Sequence, residues 1–337
     1  MRLNKNIKFF LKYVLGPLLF VWLSWSIYRE IKQQPNLALS WQQIKTSLNS
    51  PEIGKLIAAI GLMVVNWSIE TRKWQLAVRR VQKISFWQGF KAILTGVSFS
   101  VTTPNRTGEY LGRVLYMAEG NRLRTISLTI LCSMSQLLVT LFAGIIGLLF
   151  LWDRILRAEP ISGWSSIGLQ VLLFGSVLAF IILTLFYFRV SLFARWIDRL
   201  SRKEKFAFLL VELGALNATI LWRLLSLSTI RFGVFILQYF LLFSFFGVEV
   251  GFVETLWSTS LVFLILAIIP GFALADLGIR GEVNLKVLGL YSTNAIGIGF
   301  TAVIVWFINL IIPALAGSLL ILGIKFFSKR PSKQEGT

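Results

Sequence analysis

The chain has 337 residues, of which 56% are hydrophobic and only 15% are charged, whereas about 25% of the residues are charged in an ordinary soluble domain. Its 34 Lys and Arg against 15 Asp and Glu give a formal charge of +19, with no histidine and one cysteine. This composition excludes a soluble enzyme, a nucleic-acid-binding protein, histidine-based catalysis and an intrachain disulfide.

Long apolar segments predict a polytopic membrane protein. The segment between Lys12 and Tyr28 begins like a signal peptide, but it contains Trp22 and Trp25 and has no small-residue cleavage site after it, so we expect an uncleaved first transmembrane helix. About 20 apolar residues cross the hydrocarbon core. By this measure, further spans are predicted at 54–70, 125–151, 166–188, 224–247 and 293–324, the last kinked at Pro313.

Two shorter apolar segments, 88–103 and 254–269, reach only about 24 Å as helices, which is less than the hydrocarbon thickness. Each ends at a proline, Pro104 or Pro270, and a polar sequence follows. We therefore predict two re-entrant hairpins, 88–119 and 254–291, and expect both to enter the membrane from the same side.

The loop charges support this topology. Six Lys and Arg lie in 71–91 and six in 189–205, whereas 152–165 has two and 247–253 has none. By the positive-inside rule, the two loops rich in Lys and Arg should lie on the same side of the membrane. They do so only if 88–103 does not cross the bilayer. The predicted fold is thus all-α, with one membrane domain over 1–337, about six full spans, two hairpins in two similarly built halves, and cytoplasmic termini. The segment 206–223 is assigned to the interface.

Charged residues follow both prolines. An ionisable group deep in a bilayer costs at least about 2.5–3.5 kcal/mol, so it is retained where it has a partner or a function. Arginine suits phosphate because its planar fork donates two parallel hydrogen bonds. We therefore predict a headgroup site between the hairpins; the alternative is a set of internal ion pairs that lock the hairpins together. The predicted site residues are Pro104, Arg106, Gly108, Glu109 and Arg113 in the first hairpin, and Pro270, Asp276, Gly278, Arg280 and Glu282 in the second.

Other polar residues in the spans give weaker signals. Glu70 is interpreted as an interfacial partner of Arg72 and Lys73. Arg223 and Arg231, two turns apart, are expected to extend to the interface; contact with a phosphate there is the alternative. We expect Ser133, Ser135, Gln136 and Thr140 to form helix–helix hydrogen bonds, and the alternative is that they line a cavity. Gly144 and Gly147 should allow close helix packing.

The two proline elements carry a family resemblance. Pro104, Arg106, Gly108, Glu109 and Arg113, followed by Pro270, Gly278, Arg280 and Glu282, resemble the motifs of the lysylphosphatidylglycerol synthase transmembrane region, a flippase-like domain. The resemblance implies a bacterial or archaeal cytoplasmic membrane protein that binds or moves phospholipids. Many members of that family have a Glu-Arg pair in the span after the first hairpin, where this chain has Ser135-Gln136. The chain ends 12 residues after Lys325, so we expect no lipid aminoacylation domain.

Three functions follow as hypotheses. The first is binding and translocation of a lipid with an anionic headgroup, with Arg106, Arg113 and Arg280 holding the phosphate. The second is an enzyme that acts on a lipid phosphate or polyprenyl-phosphate sugar, with Glu109 or Asp276 as base or metal ligand. The third is a non-catalytic scaffold. We expect no enzyme activity, no metal and no cofactor, because no nucleotide loop or metal-ligand cluster is present. The expected partners are membrane lipids. For protein partners, the alternatives are a second copy of the chain, in a homo-oligomer, and a separate synthase.

Overall fold

A computed structural model describes residues 25, 51–101, 103, 106–157, 166–189, 216–269 and 276–323. Within these ranges the regular structure is entirely helical. A 3₁₀ turn (Glu119–Asn121) precedes α4, and a π-helical turn (Phe307–Ile311) joins α9 to α10. The helices are α1 (Ile53–Val78), α2 (Phe86–Val101), α3 (Gly108–Val114), α4 (Arg122–Arg157), α5 (Ser166–Phe188), α6 (Ala218–Phe245), α7 (Phe252–Ile268), α8 (Asp276–Leu288), α9 (Ala295–Trp306) and α10 (Ile312–Gly323).

Five helical segments of the described residues are long and apolar enough to cross a membrane: α1, α4 with its preceding turn, α5, α6, and the run Ala295–Ile321 through α9 and α10. They coincide with five of the predicted spans. The helix before Tyr28 lies outside the described residues except for Trp25, as does the part of 206–223 that precedes Leu216. Large apolar side chains are exposed along α5, for example Phe174 at 70% and Ile167 at 71%, as expected for a lipid-facing helix.

Helices α1 and α6 form an antiparallel pair connected by polar side chains along their length. Residues late in α1 contact residues early in α6, and the reverse also holds. The contacts are Lys55 Nζ to Ser244 Oγ (2.7 Å), Gln238 Nε2 to the Ala59 carbonyl (2.8 Å), and Lys73 Nζ to Ser228 Oγ (3.3 Å). Interhelical hydrogen bonds of this kind stabilise helix pairs where no water competes for the polar groups.

The segment α2–α3 folds back on itself. At its base, the backbone N–H of Ala118 donates to Gln82 Oε1 (3.0 Å), and Asn121 Nδ2 donates to the Val81 carbonyl (3.2 Å). The residues that precede α2 and those that follow α3 are therefore neighbours. The predicted hairpin shape of 88–119 agrees with this arrangement.

Two glycines allow α3 to lie against α2. A Cβ at Gly112 would stand 2.5 Å from the Cα and N of Gly96, so neither backbone has room for a side chain. We expect Gly112→Ala to lower the free energy of unfolding by about 1–3 kcal/mol through overpacking. Gly61→Ala, where nothing lies within 4 Å of the new Cβ, is the control and should be neutral or slightly stabilising. Thermal denaturation of both purified variants measures the difference; equal melting temperatures would contradict the close α2–α3 contact.

The segment α7–α8 also returns to its starting point. Asn294 Nδ2, after α8, donates to the carbonyls of Phe246 and Gly247, before α7, at 3.0 Å each. Gly247 has φ 67°, a left-handed conformation that glycine adopts without strain. The second predicted hairpin, 254–291, thus has the same form as the first, with its two ends together.

The two hairpins start at opposite ends of the α1–α6 pair. The first follows the C-terminus of α1 and the second follows the C-terminus of α6, and these helices are antiparallel. The prediction that both hairpins enter from the same side is therefore wrong. The reason is the polar pairing of α1 with α6, which involves residues far apart in sequence.

Each hairpin packs against the membrane-length segment that follows the other hairpin. Helix α2 contacts α10, where Gly317 lies against the Leu94 carbonyl, and α7 contacts α4, where a Cβ at Gly147 would stand 2.5 Å from the Trp257 carbonyl. A Cβ at Gly144 would likewise stand 2.5 Å from Leu264 Cβ, so the predicted close packing at Gly144 and Gly147 is confirmed. The order helix, hairpin, helix thus occurs twice, once from α1 to α4 and once from α6 to α10. The second copy runs in the opposite direction to the first, as in the inverted repeats of many transporters.

The last span contains a π-helical turn immediately before Pro313, which lies in the first turn of α10. Proline has no N–H to donate and its ring crowds the preceding turn. A wider turn relieves this crowding and is often found at functional positions. In this protein it carries Asn309, whose side chain points into the polar interior described below.

Candidate functional site

A cavity of about 590 Å³ lies where the two hairpins approach α1, α4, α6 and the π-helical turn. Most of its wall is apolar and aromatic. The described lining residues are Trp67, Arg106, Gln136, Thr140, Arg231, Phe232, Phe235, Phe263, Leu266, Ala267, Ile268, Ile269, Arg280, Val305, Trp306, Asn309 and Leu310. Among these described residues, the charged ones are three arginines from three separate elements.

Arg106 comes from the turn between α2 and α3. Its φ of 57° is the only positive value at a non-glycine residue among the described positions. Such a conformation costs about 1–3 kcal/mol and persists where its surroundings hold it. Here the N–H of Gly108 donates to Thr103 Oγ1 (2.7 Å), and Gly108 lies directly against the Phe99 carbonyl. The turn is thus fixed on both sides of Arg106, which directs this residue to the cavity wall.

Arg231 is held on α6 by residues of α1. Its Nε donates to Asn66 Oδ1 (2.6 Å), and its NH1 lies 3.1 Å from Glu70 Oε2. The guanidinium is 5.2 Å from the Trp67 ring centroid and 5.5 Å from that of Phe235, within the range of cation–π attraction. Because one side of the guanidinium is bound to α1 while the residue also lines the cavity, Arg231 is a positioned cation at the cavity wall.

Glu70 lies at the centre of a buried charge cluster behind this wall. Its carboxylate is 2.8 Å from Lys73 Nζ, 3.0 Å from Arg113 NH2 and 3.1 Å from Arg231 NH1. Arg113 also pairs with Glu109. We call these five residues the Glu70 cluster. It contains three cations and two carboxylates, and it joins α3 of the first hairpin to α1 and α6.

Uncharged side chains continue the polar interior along α1. Asn66 Nδ2 donates to Asn309 Oδ1 (3.2 Å), and Asn309 Nδ2 donates to Gln238 Oε1 (3.1 Å). Gln238 in turn reaches the Ala59 carbonyl. Between Ala59 and Lys73 this network covers about 21 Å of helix α1. That length is about two thirds of a typical hydrocarbon thickness of about 30 Å.

The structure brings some of the predicted site residues together. Arg106 and Arg280 line the same cavity, although 174 positions separate them in sequence. Arg113 and Glu109 are not among the described lining residues; they belong to the Glu70 cluster, which reaches the cavity through Arg231. Arg106 and Arg280 thus line the cavity, while Arg113 forms internal ion pairs.

Other predicted site residues lie elsewhere. Glu282 is 69% exposed and pairs with Lys286 at 3.1 Å on the surface of α8, and Gly278 is exposed. Asp276 begins α8, but its side chain is outside the described part of the chain, as are Pro104 and Pro270. Among the described residues, no group of three or more His, Cys, Asp or Glu is placed to hold a metal ion.

The sequence interpretation assigned two residues of this interior to the membrane interface. Glu70 pairs with Lys73, as predicted, but it is only 4% exposed and also pairs with Arg113 and Arg231. Arg231 lines the cavity while Asn66 and Glu70 bind its guanidinium. The signal for both was the spacing of Asn66, Glu70 and Lys73, which puts three polar residues on one face of an apolar helix.

The polar residues of α4 divide between two roles. Ser135 Oγ lies 2.8 Å from Ser228 Oγ on α6, which confirms the predicted helix–helix hydrogen bond at that position. Gln136 and Thr140 line the cavity, which is the alternative role predicted for this group. The two roles follow from neighbouring positions because adjacent residues on a helix point in directions about 100° apart.

Comparison with known proteins places the chain in a family. The family model for the lysylphosphatidylglycerol synthase TM region matches residues 10–317. Among curated proteins, no match is found. The match covers both hairpins, the Glu70 cluster and all the cavity arginines, and it agrees with the membrane-length helices. The chain is therefore a multi-pass integral membrane protein that belongs to the lysylphosphatidylglycerol synthase transmembrane-region family.

Proposed function

We propose that the protein binds the anionic headgroup of a membrane lipid in this cavity and translocates the lipid across the bilayer. The observation that carries the proposal is the presence of Arg106, Arg231 and Arg280, from three separate elements, on the wall of one apolar cavity. Arginines are costly inside a membrane. Their guanidinium groups recognise phosphate oxygens in pairs, so a lipid phosphate accounts for their convergence.

The cavity suits an amphipathic ligand. Its volume of about 590 Å³ lies in the range of small-molecule sites, roughly 300–1,000 Å³. The arginines would hold a headgroup, while aromatic residues such as Phe263 and Trp306 would contact the glycerol and the first acyl carbons. A lipid needs this combination, because its polar and apolar parts are covalently joined.

The inverted arrangement of the hairpins supports movement between the two leaflets. We propose that both hairpins are re-entrant and enter from opposite membrane faces, so that Arg106 and Arg280 meet the headgroup from different sides. The excess of Lys and Arg in 71–91 and 189–205 supports an orientation with both termini and the first hairpin on the cytoplasmic side. The membrane that we propose is that of a bacterium or archaeon. An inverted repeat around a central site is the usual basis of alternating access.

The proposed activity is transport and not catalysis. The chain has no nucleotide-binding motif, so uphill movement would use an ion gradient or a partner, while scrambling would need neither. The proposed partners are membrane lipids and, at the protein level, a second copy of the chain or a separate synthase.

A double substitution, Arg106→Ala with Arg280→Ala, tests the proposal. We expect the initial rate at which fluorescent phosphatidylglycerol crosses the bilayer of proteoliposomes to fall at least about tenfold, because two cavity cations are lost. Arg79→Ala with Arg157→Ala, which removes two exposed arginines, is the matched control and should keep the wild-type rate. An unchanged rate in the cavity variant, at equal reconstitution, would count against the proposed function.

A further inference from the structure

Helix α7 of the second hairpin has three buried hydroxyl groups on one face. Thr255, Ser258 and Thr259 follow the i, i+3, i+4 spacing, and each residue is 0% exposed. A helical Ser or Thr can donate to the carbonyl four residues earlier, as the neighbouring Ser260 does to Leu256 at 2.6 Å. The hydroxyls of the three residues have no hydrogen-bond partner within the described part of the chain. Because buried polar groups are nearly always paired in proteins, three such oxygens on one face indicate a ligand.

This hydroxyl face is turned towards α8. Trp257, Leu261 and Leu264 lie against the two glycines of α4, and the Phe263 ring contacts aromatic rings of α6. At about 100° per residue, the hydroxyl face lies opposite the face that contacts α4 and beside the one that contacts α6. Among the described helices, α8 is the other one that packs closely against α7, so it covers the hydroxyl face.

Asn284 of α8 supplies a fourth buried oxygen at the same depth. The residue is 0% exposed, its Nδ2 donates to the Arg280 carbonyl (2.8 Å), and its Oδ1 has no partner among the described residues. Asn284 lies eight residues after the start of α8, or about 12 Å from the hairpin tip. Thr259 and Ser258 lie nine and ten residues before the end of α7, or about 14 and 15 Å from the tip. The unpaired oxygens of the two helices are therefore neighbours inside the hairpin.

We infer that these four oxygens bind a sodium ion between α7 and α8. Oxygen ligands are those that hard cations prefer, and they can replace the hydration shell of an alkali ion. Hydroxyl and amide oxygens are neutral, which suits a monovalent ion, whereas calcium and magnesium sites in proteins use carboxylates. A bare sodium ion is smaller than a water molecule, so oxygens that water does not reach can still coordinate it. In secondary transporters, coupling ions bind at interrupted helices of this kind.

The proposed ion site is joined to the cavity through Asn284. The Asn284 amide donates to the backbone carbonyl of Arg280, which lines the cavity. An ion held by Asn284 Oδ1 therefore fixes the turn of α8 from which Arg280 extends. The inference rests on the proposed function and deepens it, because it names sodium as the ion whose gradient drives uphill lipid movement. Sodium is in this case a transported ion and not a resident metal.

Binding of radioactive sodium to the purified full-length protein tests the site directly. We expect saturable binding that unlabelled sodium displaces and equimolar potassium or choline does not. Ser258→Ala with Thr259→Val should weaken it at least about tenfold, since loss of even an outer-shell group costs about 10- to 100-fold in metal affinity. Ser260→Ala removes an equally buried hydroxyl of α7 that is already paired, and this matched control should bind as the wild type does. Absence of saturable binding, or wild-type affinity in the folded double variant, would overturn the inference.

Thermal denaturation gives a second readout. The melting temperature of the wild type should rise as sodium chloride replaces choline chloride at constant ionic strength, because a ligand of the native state stabilises it. Thr255→Val, which is nearly isosteric, should lose part of this rise. A wild-type melting temperature that is equal in both salts would overturn the inference and leave lipid transport intact as scrambling. The proposed function fails separately, if Arg106→Ala with Arg280→Ala transports lipid at the wild-type rate.

Discussion

Arg231→Ala is expected to weaken binding of phosphatidylglycerol about 10- to 150-fold, which is the effect of losing one charge-assisted hydrogen bond of about 1.5–3 kcal/mol. Its transport rate should fall at least as far. Asn66 and Glu70 hold the Arg231 guanidinium, at 2.6 Å from Nε and 3.1 Å from NH1 respectively. A ligand therefore meets a group that is already oriented, and little side-chain entropy is lost on binding.

A conservative change and a matched control make this prediction specific. Arg231→Lys keeps the charge, but one ammonium cannot reproduce the planar fork, so we expect an intermediate loss. Arg223→Ala removes an exposed arginine two turns earlier on α6 and should bind as the wild type does. Lipid binding by native mass spectrometry and transport in proteoliposomes measure both effects. Wild-type binding by folded Arg231→Ala would show that this arginine does not contact the ligand.

Arg113→Ala is expected to destabilise the protein by about 3–5 kcal/mol, the usual effect of removing one partner from a buried ion pair. The Arg113 side chain is 1% exposed and pairs with both Glu70 and Glu109. Its removal takes from Glu109 the cation that it pairs with in the structure, and leaves the buried Glu70 with two of its three cations. It also disconnects α3 from α1, so the first hairpin loses its ionic attachment to that helix.

A double variant separates lost charge pairing from lost packing. Arg113→Ala combined with Glu109→Gln removes one of the uncompensated carboxylates, so we expect it to recover part of the stability. In thermal denaturation in detergent, we expect the melting temperature to be highest for the wild type, lower for the double variant and lowest for the single variant. Arg79→Ala, which replaces an exposed arginine, is the control and should have the melting temperature of the wild type. A single variant as stable as the wild type would mean that the buried pairs contribute no net stabilisation.

The sequence predicted the membrane helices well because their signal is local. About 20 successive apolar residues have few alternatives to a transmembrane helix, and α1, α4, α5 and α6 lie where the apolar runs indicated. Pro104 and Pro270 marked the ends of helices too short to cross, and α2 and α7 have the predicted lengths. The helices extend beyond the apolar runs, as α4 does to Arg157, because helical hydrogen bonding continues into the charged flanks.

The candidate site was only half predicted. Arg106 and Arg280 were selected because they follow prolines in short apolar segments, and the structure brings them to one cavity. Arg231 was considered only for the membrane interface, because its flanking sequence is that of an ordinary span. Its importance comes from Asn66 and Glu70, which lie more than 160 residues away in the chain.

The amino-acid sequence by itself determined the membrane environment, the helical class, the two interrupted segments and two of the three cavity arginines, since each depends on hydropathy or on residues close in the chain. Only the tertiary structure decided that the hairpins start at opposite ends of the helix pair, that Glu70 joins three cations, and that Arg231 completes the cavity. These features depend on the antiparallel pairing of α1 with α6. That pairing is set by side-chain contacts between distant segments, which no local pattern specifies.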